Sequence, residues 1–306
     1  MELIKGNCPH CAKPLAIPSE LKEFSCMYCG ARSRIEELTK RVSAEQYETE
    51  RAFLKENLPL TVTRYPDYYR KMTRKDFIPT FQTYEAENAD ILKHLDVCIY
   101  SAPVSNEACM KEICADLLDA IDANMKAQPQ WQKEGKRQDL LFATRVVLAI
   151  FLTPLVRKMR LNAATIFRSE LNRQWMERYP KHRWSPGDYE VLEAGYKKRG
   201  LCFITTATCQ KEGKADDCEE LTAFRAFRDG WLTENGYQSD IDLYYEIAPS
   251  IVMCIDHCDE TEQCYAHIRE TWLEPCYRAL KEKRNEDCRA LYTAMVQELQ
   301  KKYFRQ

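Results

Sequence analysis

Glycine and proline are scarce, at nine and thirteen of 306 residues. That scarcity excludes collagen-like and low-complexity chains. No sign of charge prevails, since 45 Lys and Arg face 47 Asp and Glu. Such a balance does not by itself mark a nucleic-acid-binding protein. No Walker loop, GxSxG elbow, HExxH pair or dinucleotide-binding glycine pattern occurs, so the commonest enzyme classes lack a signature. No internal repeat of fixed period suggests a solenoid. The N-terminus reaches a cysteine pair before the apolar core of a signal peptide could form. The most hydrophobic stretch, 140–152, carries Arg145, is expected to end at Pro154, and is shorter than the ~20 residues a bilayer needs. A buried core helix is the expectation there.

What is present is a globular composition, 45% hydrophobic and 30% charged, on a chain long enough for about two domains. The small net charge conceals an uneven distribution. Residues 131–200 carry 15 basic against 7 acidic residues, and residues 201–306 carry 13 against 20. A basic middle beside acidic flanks implies contact between segments or an anionic partner for the middle one. Fifteen cysteines is a heavy load. With long helical patterns and no leader, it reads as metal-bound and free thiols in a reducing cytoplasm rather than as a disulfide framework.

Cys8-Pro9-His10-Cys11 and Cys26-Met27-Tyr28-Cys29-Gly30 form two CxxC turns separated by 14 residues. Each turn presents two sulfurs to one ion without strain, and four thiolates complete a tetrahedral Zn2+ shell. His10 could compete as a ligand, but the four thiolates already suffice. The short segments between them allow two β-strands and a loop, a module too small to fold without its metal. The basic residues Lys5, Lys13, Lys22, Arg32 and Arg34 are offset by Glu2, Glu20 and Glu23, a weak footprint for phosphates. A protein partner is therefore the expectation for this ribbon.

Downstream the periodicity is helical. Ser43-Ala44-Glu45-Gln46 has the form of a capping box, so a helix is expected to restart there. Pro59, Pro66 and Pro79 are expected to break residues 59–80 into turns holding an aromatic cluster of Tyr65, Tyr68, Tyr69, Phe77 and Phe81. Two helices split near Pro103 should follow over 83–126, then helices at 138–152 and 160–178. In 173–199, Arg173, Trp175, Arg178, Tyr179, Lys181, His182, Arg183, Trp184, Lys197, Lys198 and Arg199 interleave cations with aromatics. That pattern suits a nucleic-acid or anion surface, where aromatics stack and cations track phosphates. The other reading, which Pro180, Pro186 and Gly187 favour, is a solvated connector whose tryptophans anchor it to the core.

Residues 201–209 form an uncharged run rich in Thr that should be buried, and an amphipathic helix should follow from about Asp216 to Asn235-Gly236. Cys202-Phe203-Ile204 followed by Thr205-Thr206-Ala207, then Phe224-Arg225-Ala226-Phe227-Arg228-Asp229, then Tyr244-Tyr245 before Ala248-Pro249, resemble the bacterial CFI-box domain over roughly 200–255. Thr205 stands where that family commonly has Ala, and Cys209 where Tyr-Gly often follows. The resemblance implies a compact, often C-terminal module, and it names no reaction. An N-terminal ribbon, helical middle and such a module also resemble uncharacterised bacterial zinc-ribbon proteins.

Cys202 admits two readings. As a nucleophile it needs a lowered pKa, which Arg225, Arg228 or His257 could supply, with Asp229 or Asp256 as orienter and Thr205, Thr206 and Thr208 as hydrogen-bond donors. As a buried structural thiol it needs nothing further. Cys254, His257, Cys258, Cys264 and His267 fall within 14 residues and leave open a second metal or redox site. Cys98, Cys109, Cys114, Cys276 and Cys288 have apolar helical neighbours and read as core.

The chain is thus expected to be mainly α, with a small β zinc ribbon at 1–34, helical regions at 35–130 and 131–199, and a CFI-box-like helical domain at 200–306. The expected function is binding through a protein-interaction or adaptor module. The competing readings are an enzyme centred on Cys202 with Arg225, Arg228 and Asp229, and a nucleic-acid or anion binder using 173–199.

Overall fold

A computed structural model describes residues 3–11, 13–38, 42–197 and 202–304. It is mainly helical, with two short antiparallel sheets at the N-terminus. β1 (Leu3–Asn7) pairs with β2 (Pro14–Pro18) from Leu3 opposite Pro18 to Asn7 opposite Pro14. β3 (Glu23–Ser25) pairs with β4 (Arg32–Arg34). Each hairpin is closed by one CxxC turn. Gly30 adopts φ +72°, the left-handed conformation that the second turn needs just after its last cysteine. Among the described residues, Cys8, Leu15, Phe24, Cys26 and Leu38 form the buried core of this unit, separate from the helical core. So few side chains cannot offset the chain entropy of ordering the strands.

The capping box is present as read. Ser43 Oγ accepts from the Gln46 N–H and Gln46 Oε1 accepts from the Ser43 N–H, opening α1 (Ala44–Asn57). A single turn, α2 (Leu60–Thr63), precedes α3 (Phe77–Ser101), and Ser105 caps α4 (Asn106–Ala127). Pro79 does not precede a helix as expected. It lies in the first turn of α3, where a missing N–H leaves no hydrogen bond unmade.

The apolar stretch is longer than the sequence pattern indicates. α5 (Glu134–Val146) runs through a π-helical turn, Val147–Leu152, into α6 (Thr153–Lys158). Pro154 therefore does not end it. The wider turn, in which the Thr153 N–H reaches the Leu148 carbonyl, accommodates a ring that a regular turn would reject. By length and composition Glu134–Lys158 could cross a membrane, but 89% of its apolar window is buried inside the protein.

α7 (Ala164–Arg178) and α8 (Tyr189–Lys197) complete the middle. α9 (Phe203–Lys211) holds the Thr-rich run and is buried along most of its length. α10 (Glu219–Ala226) extends through a second π turn, Phe227–Leu232. α11 (Gln238–Cys258) contains Pro249. α12 (Thr261–Ile268) passes through a third π turn, Arg269–Leu273, into α13 (Glu274–Lys281), where Pro275 repeats the arrangement at Pro154. α14 (Asn285–Phe304) closes the described chain.

Buried side chains from Tyr47 to Phe304 form one continuous cluster. Its aromatic centre is Phe151, ringed by Tyr68, Phe77, Phe81 and Tyr84 at 5.1 to 6.0 Å between centroids. Arg145, buried within this apolar helix, donates from Nη1 to the carbonyls of Arg183 (3.0 Å) and Cys258 (2.6 Å). A cation thus meets the last carbonyl of α11, that of Cys258, where the helix dipole favours positive charge.

Candidate metal centre and Cys202 pocket

The two CxxC turns bring Cys8, Cys11, Cys26 and Cys29 together, all four sulfurs lying within 4.8 Å of one another. Cys8 Sγ is 3.8 Å from Cys29 Sγ, and Cys11 Sγ is 3.7 Å from Cys26 Sγ. A tetrahedron with metal–sulfur bonds near 2.3 Å has edges of about 3.8 Å, so the sulfurs stand at ligand spacing. The separations are far beyond the roughly 2 Å of a disulfide. In each turn a backbone N–H points back at the first sulfur, from His10 to Cys8 and from Tyr28 to Cys26, both at 3.4 Å. Burial pushes Cys8 up to about 12. Burial acts upward on Cys26 too, but the Tyr28 and Cys29 N–H groups and the neighbouring thiols outweigh it and bring it down to about 6. Four crowded sulfurs so partnered suit a cation that draws all of them into thiolate form. The cluster could hold a metal ion.

The second constellation lies where α9 begins. Cys202 is the residue immediately before that helix, and its carbonyl accepts the Thr206 N–H at 2.6 Å. Its thiol is buried, and Arg228 Nη1 lies 3.6 Å from Sγ. Asp229 grips the other edge of that guanidinium, at 2.6 Å from Nε and 2.7 Å from Nη2. The structure therefore unites Cys202, Arg228 and Asp229. Arg225 turns away, donating to the carbonyl and carboxylate of Asp216 at 2.7 and 2.8 Å. Burial is the largest influence on the Cys202 thiol and raises its pKa despite both arginines. That leaves a protonated thiol at neutral pH, against the requirement for a thiolate nucleophile.

Thr205 and Thr208 are engaged within the fold, while the buried Thr206 Oγ1 has no hydrogen-bond partner among the described residues. Thr208 Oγ1 donates to the Ile204 carbonyl, and Thr205 Oγ1 lies 3.2 Å from the Tyr292 hydroxyl. Two tyrosines complete this environment and had no chemical signal in the sequence. The Ile204 N–H donates to Tyr244 Oη at 2.9 Å, satisfying a first-turn donor of α9, and Tyr292 packs on Tyr244. Tyr244 belongs to the Tyr-Tyr motif, but nothing in the sequence placed it under Ile204.

His257 and Asp256 do not assist Cys202. His257 Nδ1 is 3.1 Å from Ser185 Oγ, and Asp256 accepts from Tyr265 Oη at 3.0 Å. Nor do Cys254, His257, Cys258, Cys264 and His267 gather into a second metal site. Among the described residues only the four ribbon cysteines form a metal-ligand group. Cys254 and Cys258 are buried on α11. Cys264 lies 3.5 Å from Lys302 Nζ, while His267 is beside Thr271 and Glu298. Cys98, Cys109, Cys114, Cys276 and Cys288 are all buried.

In the basic segment, Arg178 pairs with Asp119 and Asp122 at 2.7 and 3.3 Å, Arg173 with Glu170 and Glu177, and Arg183 with Glu260. Trp175 and Trp184 are buried, and Tyr179 donates to Asp122. Arg178, Tyr179 and Arg183 tie the middle of the chain to its acidic flanks, whereas the Arg173 pairs stay within α7. Lys198 and Arg199 lie outside the described residues.

Compared with known proteins, the chain matches no family model, no curated protein and no solved structure.

Proposed function

We propose that this chain is a cytoplasmic zinc-ribbon protein whose ribbon docks onto a protein partner, with the helical body as the rest of the adaptor. One observation carries this reading. The second CxxC turn brings Cys26 and Cys29 to the sulfur cluster and leaves its two intervening side chains open, Met27 being 80% and Tyr28 57% exposed. A large thioether and an aromatic ring side by side on a rigid knuckle are the side chains that anchor protein contacts. Zn2+ is the ion of choice for a closed set of four thiolates. Fifteen cysteines with no disulfide among them suit a reducing cytoplasm.

Residues 200–255 are best read as a CFI-box-like module. Its three sequence elements meet in space, with Cys202 at Arg228 (3.6 Å) and the Ile204 N–H at Tyr244 Oη (2.9 Å). The alternative, an enzyme using Cys202, has the Arg228 contact in its favour and the raised thiol pKa against it. Binding of nucleic acid through 173–199 would have to displace the carboxylates that already hold Arg173, Arg178 and Arg183.

The test is a double variant, Met27→Asp with Tyr28→Asp, compared with wild type for metal content and co-purifying protein. The reading expects one zinc per chain in both and loss of the co-purifying protein in the variant. An unchanged partner profile would overturn the docking role, and absence of zinc from wild type would overturn the ribbon.

A further inference from the structure

A pocket of about 130 Å3 opens beside Cys202, between the α10 end and its π turn, α11 and α14. Its size approaches the ~150 Å3 cavity that takes up a benzene ring in an unrelated protein. The buried side chains Phe224, Phe227, Ile241 and Val296 wall it, and Leu243, 45% exposed, stands at the rim. The Cys202 thiol, kept protonated by burial, adds a small, soft and uncharged surface.

Each charged side chain along this lining already has an opposite charge beside it. Among the described residues these are Arg228, Asp240 and Arg289. Asp240 accepts from Arg289 Nε and Nη2 at 3.0 and 2.9 Å, and the same guanidinium lies 3.7 Å from the Tyr237 ring centroid. Asp229 holds Arg228 along its Nε and Nη2 edge, and that guanidinium lies 5.8 Å from the Tyr245 ring centroid. Two arginines thus balance two carboxylates. The tyrosine hydroxyls are engaged as well, since Tyr244 Oη accepts the Ile204 N–H and Tyr292 Oη contacts Thr205 Oγ1. The other polar side chains on the lining, Thr293 and Gln297, carry no charge. A charged group drawn between these walls would lose its water and find each counter-charge already taken. An uncharged ring would leave water at a gain and meet aromatic side chains.

We propose that this pocket binds a small neutral aromatic molecule, one ring in size, packed between Phe224, Phe227 and Val296. No covalent step is involved. The site is independent of the ribbon, and the proposal stands whether or not the ribbon docks a protein.

The experiment is a 19F NMR titration of the full chain with fluorobenzene, 4-fluorobenzoate and 4-fluorobenzylammonium. Fluorobenzene should bind saturably and at least about tenfold more tightly than either charged probe. Leu243→Trp, a surface change at the rim, should weaken fluorobenzene at least about tenfold by crowding the entrance. Val191→Trp, at a 67% exposed position on α8 outside the pocket, should leave it within about twofold. The ranking of the three probes is read on the wild type and needs neither variant to fold. No saturable binding of fluorobenzene would overturn the proposal. Either charged probe matching its affinity, or Leu243→Trp binding it as the wild type does, would do the same.

Discussion

At the residue scale, the helical body depends on a few buried charges whose partners come from distant segments. Glu220 is buried, and Arg269 Nη1 holds both its carboxylate oxygens at 2.7 and 2.8 Å while Lys214 adds a contact at 3.0 Å. Burial acts to raise its pKa, but these two cations outweigh it and the carboxyl titrates below its usual range. A depressed folded value means the contribution is complete at neutral pH and is lost as pH falls through the acidic carboxylate range. Glu220→Gln should therefore lower the melting temperature at pH 7, and its difference from wild type should shrink toward pH 3. A constant difference between those pH values would remove Glu220 from the acid response. Arg145 offers a second case. Arg145→Met keeps the volume and removes the donors to the Arg183 and Cys258 carbonyls, and should cost about 3 kcal/mol in denaturant unfolding. In the sequence Arg145 registered only as an interruption of an apolar run, because the carbonyls it serves lie 38 and 113 residues away.

At the element scale, local signals were legible and geometric accommodations were not. The Ser43 capping box needs only four consecutive residues, and it is where the sequence placed it. Ser43→Ala should cost about 1 kcal/mol with an unchanged denaturant slope. Pro154 shows the opposite situation. Its ring argues for a helix end, but the π turn at Val147–Leu152 carries the helix onward, and the same device recurs at Arg269–Leu273 before Pro275. A proline in a regular helix interior costs about 3 kcal/mol. Because the π turn already absorbs the ring, Pro154→Ala should stabilise by well under that amount, and a gain near 3 kcal/mol would show the helix to be strained there. The grouping expected around Cys202 was only partly legible. Cys202, Arg228 and Asp229 do meet, whereas Arg225 is taken by Asp216, a residue whose loop position no helical periodicity could fix.

At the scale of the whole molecule, two cores of very different size share one chain. Among the described residues the ribbon core has five buried hydrophobic side chains, while the helical cluster runs from Tyr47 to Phe304. The four clustered cysteines were legible because a CxxC turn is local and its pairing repeats. The helical packing around Phe151 was legible only as a list of aromatic residues, since its members come from three separate helical stretches. The uneven charge also resolves at this scale, as Arg178, Lys158 and Arg183 of the basic middle reach Asp119, Glu85 and Glu260 in the flanks.

If the metal supplies the folding energy of the ribbon alone, stripping it should disorder residues 3–38 and leave the body intact. The direct test is native mass spectrometry of the wild type and Cys26→Ser, with a thermal melt of each. One zinc per wild-type chain, none in the variant, and a main melting transition that hardly moves would meet the expectation. Two metals per chain, an ion retained by Cys26→Ser, or collapse of the main transition on its loss would contradict a closed four-thiolate centre serving the ribbon only.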